Sequence, residues 1–232
     1  MKRVEQVWNG KPILRKKNEK NLKTRFKHNR FNLVFVLGKG IYYHAKDMSY
    51  FLDTVHGTTN SLLKAVSLDI KEVLFLAGVK SFGLISEFIS APLWRKLEEP
   101  GHILEMNETF KTLTDFLKEA SNDVGLCCKF IRGQVTPFNT TINEDDRVTV
   151  HLASEDTEVD EILLPLLQSL FKAIQELLER MVEDHLPGGQ FWNPTEELKQ
   201  QTRSVMKHNK LPEFTFGQLD QLLRRRPNYA TT

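Results

Sequence analysis

Residues 158–185 read EVDEILLPLLQSLFKAIQELLERMVEDH, and this stretch decides the fold class. Its apolar residues recur every three or four positions, which is the spacing of one face of an α-helix. Pro187-Gly188-Gly189 then supplies a strong stop. The stretch predicts one long helix, kinked at Pro165 and capped by a box of Thr157 and Asp160. Its stripe comprises Val159, Ile162, Leu163, Leu166, Leu167, Leu170, Phe171, Ile174, Leu177, Leu178, Met181 and Val182.

Two kinds of partner can bury such a stripe. In a helical bundle, the stripe faces other helices of the same chain. In a coiled coil, it faces a helix of another chain, because the same heptad spacing serves both arrangements. The sequence favours the bundle and leaves the second arrangement open. The interaction residues of the coiled coil would be Leu163, Leu167, Leu170, Ile174, Leu177 and Met181.

Helical spacing recurs on both sides of this stretch. Residues 72–97 predict a helix that Pro92 stops or kinks, with Gly78 and Gly83 allowing close helix contact. A second helix is predicted over 103–117. Near the C-terminus, Pro194 begins a helix after an Asn193 N-cap, and 213–225 form a last amphipathic helix.

The pattern changes between residues 125 and 154. β-Branched residues cluster in Val148-Thr149-Val150, and Gly133 and Pro137 interrupt the helical spacing. The stretch predicts either a short β hairpin near 127–152 or a flexible connector, and we favour the connector. The sequence thus predicts four parts. They are a basic arm (1–30), an N-terminal helical part (31–124), the connector (125–154) and a C-terminal helical part (155–232).

The arm is defined by its charge. Residues 1–30 hold eleven Lys or Arg and two acids, whereas residues 31–232 hold 21 basic and 28 acidic residues. Such an arm serves as a solubilising tail, as a nuclear import signal or as a contact to the phosphates of nucleic acid. In the third case, the phosphate-contacting candidates are Lys16, Lys17, Arg25, Lys27 and Arg30.

Motifs of catalysis and metal binding are missing from the sequence. Gly38-Lys39-Gly40 follows an apolar run, but Tyr43 stands where a dinucleotide fingerprint needs a third small residue, so a turn opening a helix over 41–55 is expected. The seven histidines lack metal-ligand spacing, and Cys127 and Cys128 are expected to be small, semi-buried apolar residues. We therefore assign no catalytic residue, metal or cofactor.

Composition and the lack of a long uncharged apolar window predict no membrane span and a nuclear or cytoplasmic location.

Several phrases resemble a dispersed, transposon-associated family of invertebrate proteins. They are Arg30-Phe-Asn-Leu-Val-Phe35, Leu62-Leu-Lys-Ala-Val-Ser-Leu-Asp-Ile70, Ala77-Gly-Val-Lys-Ser-Phe-Gly-Leu-Ile-Ser86, Pro92-Leu-Trp-Arg95, Leu104-Glu-Met-Asn107 and Asp184-His-Leu-Pro-Gly-Gly189. The resemblance covers most of the chain from about residue 25 onward, and the family has no established activity.

A fainter similarity links the chain to the C-terminal half of hAT-type transposases, which place an RNase H-like core around a helical insertion. Arg30-Phe31-Asn32 is similar to their Arg-Trp-Asn phrase, and Glu213 and Phe216 match two positions of their Ser-Glu-Arg-x-Phe phrase. Pro212 and Phe214 replace the Ser and Arg of that phrase, and no catalytic acid of the superfamily maps onto this chain. Glu87 is interpreted as the polar side of a helix.

The sequence as a whole predicts a mainly α, multi-helix bundle-like domain behind a basic N-terminal arm. The leading functional hypothesis is a mobile-element-derived, catalytically inactive protein that associates with nucleic acid through its arm. The alternative is a non-enzymatic scaffold whose long helix pairs with a helical protein partner or with itself.

Overall fold

The computed structural model describes residues 7–8, 11–12, 30–58, 60–208, 218–219 and 221. The described part is mainly α-helical, as the sequence predicts. Two short antiparallel strands, β1 (Val7–Trp8) and β2 (Lys11–Pro12), pair with each other near the N-terminus. Apart from these strands and Arg30, which begins the first helix, the basic arm lies outside the described residues.

The helices follow one another with short connections. In chain order they are α1 (Arg30–Tyr50), a π-helical turn (Phe51–His56), α2 (Ser61–Asp69), α3 (Val73–Ile85), a second π-helical turn (Ser86–Ser90), α4 (Ala91–Glu98), a 3₁₀ turn (Ile103–Met106), α5 (Asn107–Ala120), α6 (Val124–Ile131), α7 (Arg147–Ala153), α8 (Thr157–Met181), a second 3₁₀ turn (Glu183–His185) and α9 (Glu196–Gln201).

The predicted long helix is α8, and it runs through Pro165 without a break. Its N-cap is Asp156, whose carboxylate accepts from the amide of Val159, so the predicted box of Thr157 and Asp160 is wrong by one residue. The Asp160 carboxylate instead accepts from the backbone amide of Asp156, at 3.2 Å. The helix buries one continuous face at four-residue spacing, formed by Val159, Leu163, Leu167 and Phe171.

The predicted helix over 72–97 is interrupted by a widened turn. The amide of Ala91 donates to the carbonyl of Ser86 five residues earlier, one residue before Pro92. Proline has no amide hydrogen and crowds the preceding turn, so a π-helical turn lets the chain continue into α4.

Val73–Glu98 is long and apolar enough to cross a membrane by length and composition, with a mean hydropathy of 1.6 and 56% of the window buried. A buried core helix has the same properties, and the expectation of no membrane span stays a prediction.

Helix α1 packs closely against α3 because two glycines lie at their contact. A β-carbon at Gly38 would lie 2.7 Å from the carbonyl oxygen of Val79, and one at Gly83 would lie 3.0 Å from the α-carbon of Lys39. The predicted close contact at Gly83 is confirmed, whereas Gly78 has open space around it. The turn expected at Gly38 and Gly40 is wrong, since both lie inside α1, where Gly38 allows close backbone approach.

We expect Gly38→Ala to destabilise the protein by about 1–3 kcal/mol, because the new methyl group overlaps backbone atoms that cannot move independently. Gly40 is the matched control: it lies in the same helix with nothing within 4 Å of an added β-carbon. Gly40→Ala should stabilise the protein by up to about 1 kcal/mol through helix propensity. Urea unfolding of both variants measures the difference, and equal effects would contradict the close contact.

The expected β excursion near 127–152 is wrong, because the structure forms helices α6 and α7 there. Asp146 caps α7 by accepting from the amides of Val148 and Thr149, at 3.1 and 3.3 Å. Thr149 and Leu152 are buried one helical turn apart, so burial of this face outweighs the β propensity of the Val-Thr-Val run. Residues 132–146 connect the two helices without regular structure.

Helix α9 begins two residues later than predicted. Thr195 is its N-cap and accepts from the amide of Leu198 at 3.2 Å, so the expected Asn193 cap is wrong. Because Thr195 is the N-cap, the helix starts at Glu196, and Pro194 lies before it. The predicted helix over 213–225 lies mostly outside the described residues, although Gln218, Leu219 and Gln221 are helical.

The core is one contiguous cluster of buried apolar side chains. Helix α3 runs through its centre and contacts α1 on one side and α8 on the other. Phe88 and Phe130 meet edge to face at 5.6 Å, and Phe130 and Phe171 do so at 5.1 Å. The cluster thus draws side chains from residues 31–124, 125–154 and 155–232 alike.

Candidate functional site

A lysine lies at the centre of this core. Lys80, on α3, is fully buried, and its ammonium group lies 2.7 Å from the carboxylate of Asp160 on α8. The other oxygen of that carboxylate lies 2.7 Å from the guanidinium of Arg132, which follows α6. One carboxylate therefore joins two cations from two other segments of the fold.

Each of the two cations also finds a second acceptor. Lys80 and Arg132 each donate to the backbone carbonyl of Ser154, at 3.1 Å. The Lys80 ammonium also lies 5.2 Å from the centre of the Tyr42 ring, within the range of a cation–π contact. The Tyr42 hydroxyl donates to Asp156 at 3.3 Å, which ties α1 to the start of α8.

Burial and hydrogen bonds shift the protonation of these groups in different directions. Burial alone would raise the pKa of Asp160, but hydrogen bonds from Lys80 and Arg132 outweigh it and hold the pKa below its ordinary value. Burial lowers the pKa of Lys80, and the Asp160 carboxylate opposes this change. Burial, together with the charge of Asp156, raises the pKa of Tyr42, which keeps the hydroxyl protonated as a donor.

An open groove of about 530 Å³ lies beside the Tyr42 end of this network. Helix α1 and the π-helical turn after it form most of its walls. At its far end, the Asp53 carboxylate accepts from Lys71 and from Ser67. Its lining residues are Tyr42, Tyr43, Ala45, Lys46, Ser49, Tyr50, Asp53, Thr54, Ile70, Lys71, Leu76, His151 and Asp156.

A second polar cluster links α1 with α7 and the π-helical turn before α4. The Lys39 ammonium lies 2.7 Å from Glu87 and 3.3 Å from Asp146, and it donates to the Thr149 hydroxyl at 2.9 Å. Glu87 was predicted to lie on the polar side of a helix. Its side chain is 24% exposed and is held in the ion pair with Lys39 instead of facing open solvent.

A third polar contact holds the resembling phrase Asp184–Gly189 against α5. The ring nitrogen Nδ1 of His185 lies 2.8 Å from the side-chain oxygen of Asn107. The Asn107 amide then donates to the carbonyl of Phe191 at 2.6 Å. Burial lowers the pKa of His185, which favours the neutral ring in this contact.

These clusters have the chemistry of structural contacts. Every buried side-chain nitrogen and oxygen in the described part of the chain has a hydrogen-bond partner. Within the same residues, no group of three or more His, Cys, Asp or Glu could hold a metal ion. Cys127 is buried, which raises the pKa of its thiol to about 12, and Cys128 is exposed, so the expectation that both are semi-buried holds for neither.

Most of the residues predicted to contact nucleic acid lie outside the described part of the chain. Lys16, Lys17, Arg25 and Lys27 lie outside the described residues, and Arg30 is described only as the first backbone position of α1. Their role therefore stays a prediction.

The predicted interaction stripe of α8 divides in two. Leu163 and Leu167 are fully buried, and Leu170 and Ile174 pack against the core. Leu177 is 47% exposed and Met181 is 72% exposed. The first half of the stripe thus belongs to the core of this chain, whereas Leu177 and Met181 are exposed near the end of α8, beside the partly buried Leu178.

The sequence does not predict the ion network of Lys80, Asp160 and Arg132. One signal was available: Lys80 is a charged residue inside the apolar run 73–85, at a position where the helix must face the core. Its partner stands 80 residues further along the chain, and no local pattern connects the two.

Comparisons of this chain with protein-family models, with curated proteins and with solved structures find no match.

Proposed function

We propose that this is a non-enzymatic, mobile-element-derived helical protein that associates with nucleic acid through its basic N-terminal arm, in the nucleus or the cytoplasm. The observation that carries the proposal is the separation of charge along the chain. Residues 1–30 hold eleven basic and two acidic residues, whereas residues 31–208 hold 17 basic and 26 acidic residues. A polyanion is attracted to the first segment and repelled by the second.

Contacts within residues 31–208, here called the helical body, also favour binding through the arm. Lys39, Lys71, Lys80 and Arg132 are each held by carboxylates of the same body. Cations that neutralise internal carboxylates release no counterions from a phosphate backbone, so they add little to its binding. The phosphate contacts are therefore assigned to the arm.

We expect the affinity for double-stranded DNA to fall steeply with salt, with most of the slope due to the arm. Replacing Lys16, Lys17, Arg25, Lys27 and Arg30 with alanine should reduce the slope of log affinity against log salt by about 4, since each phosphate contact contributes about 0.9. Fluorescence anisotropy with a labelled duplex at several salt concentrations measures this slope.

The matched control removes the same number of exposed cations from the body. Replacing Lys64, Lys118, Lys129, Lys172 and Arg180 with alanine should leave the slope almost unchanged. A loss of less than about one unit of slope in the arm variant, or an equal loss in both variants, would refute binding through the arm.

A second candidate function rests on exposed apolar side chains near the C-terminal end of α8. Leu177 and Met181 are large apolar side chains with about half or more of their surface exposed. A scaffold that pairs this end of α8 with a helix of another chain would bury them. Light scattering at increasing protein concentration tests self-association: dimers that Leu177→Glu abolishes support it, and a monomer at every concentration contradicts it.

A further inference from the structure

The open groove beside Tyr42 has the size of a small-molecule site. Its volume of about 530 Å³ lies within the range of pockets that hold small ligands, about 300–1,000 Å³. Along α1 and the π-helical turn after it, the lining residues Tyr42, Lys46, Ser49 and Asp53 recur at helical spacing. His151 of α7 belongs to the lining as well. We call this cavity the Tyr42 groove.

The charged side chains of the groove differ in whether they have partners. They are two cations and two acids, namely Lys46, Lys71, Asp53 and Asp156. Lys71 pairs with Asp53 at 2.7 Å. The Asp156 carboxylate accepts from the Tyr42 hydroxyl at 3.3 Å. Lys46 is exposed, and its ammonium group forms no ion pair or hydrogen bond with the described residues. The groove therefore offers one uncompensated positive charge, whereas both of its carboxylates already have donors.

The imidazole of His151 lies near that charge. Its ring contacts the rings of Tyr42 and Tyr43, with centroids 5.4 and 5.6 Å away. Burial, together with the charges of Lys46 and Lys80, lowers the pKa of His151, so the ring is mainly neutral at pH 7. Neither ring nitrogen has a hydrogen-bond partner among the described residues. A neutral imidazole donates from one nitrogen, so it can add a hydrogen bond to an anion that Lys46 attracts.

Aromatic and aliphatic side chains supply much of the remaining lining. Tyr43 is half-buried, and Tyr50 is 45% exposed. Ile70 is buried, and Leu76 is partly buried against the core. A flat aromatic ring gains contact area against such side chains, whereas a small hydrated anion gains none. The lining thus favours an anion that is attached to an aromatic ring.

We propose that the Tyr42 groove binds a small aromatic molecule that carries a carboxylate or a phosphate. Lys46 binds the anionic group, and His151 donates a hydrogen bond to it. The aromatic ring of the ligand packs against Tyr43 and Tyr50. The inference uses residues of the helical body alone, so it is independent of nucleic-acid binding by the arm.

Nuclear magnetic resonance of the full chain at pH 7 tests the binding with defined probes. Benzoate and phenyl phosphate carry a ring and an anion, acetate and inorganic phosphate carry only the anion, and benzyl alcohol carries only the ring. We expect at least one of the two aromatic anions to shift a ring-proton signal of His151, with a dissociation constant of about 1 mM. The three other probes should bind at least about fivefold more weakly. The loss of this signal in His151→Gln identifies it, and the tighter aromatic anion shows which anionic group the site prefers.

Lys46→Met removes the charge and keeps the length of the side chain, so it should weaken binding of the tighter aromatic anion about fivefold. Lys118→Met is the matched control, because Lys118 is also an exposed lysine of a helix but lies outside the groove. It should leave the dissociation constant unchanged, and circular dichroism checks that both variants stay helical.

Three results would overturn the proposal. The first is the lack of a saturable shift of the His151 signal with either aromatic anion up to about 10 mM. The second is equally tight binding of a probe that lacks the ring or the anion. The third is an equal effect of the two lysine variants.

Discussion

Asp160→Ala lowers the free energy of unfolding by about 3–5 kcal/mol, the largest loss that we expect from a single polar substitution in this protein. The reason is the position of Lys80, which is fully buried and loses its ion-pair partner in the substitution. A buried ammonium group without a partner costs far more than an exposed one, because the interior cannot replace its hydration. Urea unfolding followed by circular dichroism measures the loss.

Two further variants separate this effect from a general sensitivity to lost charge. Asp115→Ala removes an exposed carboxylate that pairs with Lys111 on the surface of α5, and should cause no measurable change. Combining Asp160→Ala with Lys80→Met should recover most of the lost stability, since an apolar side chain of similar length then fills the site. A double variant that is no more stable than Asp160→Ala would show that the buried charge is not the cause.

The loss also depends on pH. The pKa of Asp160 lies below its ordinary value of 3.8 in the folded protein. A carboxylate with a lowered pKa stabilises the fold fully above the unfolded value, and this contribution is lost as the pH falls towards the folded value. The difference between the wild-type protein and Asp160→Ala should therefore be constant near neutral pH and should shrink below about pH 4.

Phe171→Ala also lowers the free energy of unfolding by about 3–5 kcal/mol. Phe171 is fully buried on α8, and its ring meets Phe130 edge to face at 5.1 Å and lies 6.4 Å from Phe116. Removing the ring leaves a cavity at the point where α5, α6 and α8 meet, and also removes these ring contacts.

Lys172→Ala is the control for this variant, because Lys172 is the next residue of α8 and is exposed. Its effect should stay within about 0.5 kcal/mol, as for most surface substitutions. Thermal unfolding of the two variants compares them directly. Similar losses would show that the face of α8 that carries Phe171 is not the buried one.

The helices were predictable where burial follows a local period. α8 and α5 each repeat their apolar residues every three or four positions, so a short window shows both the helix and its buried face. α7 was not predictable in this way. Its Val148-Thr149-Val150 run has β propensity, and only the cap at Asp146 and the burial of Leu152 against the other helices decide for a helix.

Among the residues discussed as functional or structural sites, some are evident from the sequence and others only from the tertiary structure. The basic arm is a property of composition, so the sequence alone reveals the cations on which the proposed nucleic-acid contact depends. The partnership of Lys80 with Asp160 joins positions far apart in the chain, and no window contains both. The same applies to Gly38, whose role appears only when α3 lies across it.

By itself, then, the sequence determined the helical class, the place of the long helix and the concentration of positive charge in residues 1–30, because each of these depends on neighbours along the chain. Only the tertiary structure decided which part of the α8 stripe is core. Leu163 and Leu177 belong to the same periodic pattern, yet one is fully buried and the other is 47% exposed. The difference arises because the packing of the other helices covers Leu163 completely and leaves Leu177 about half exposed, and burial depends on that packing, not on the period.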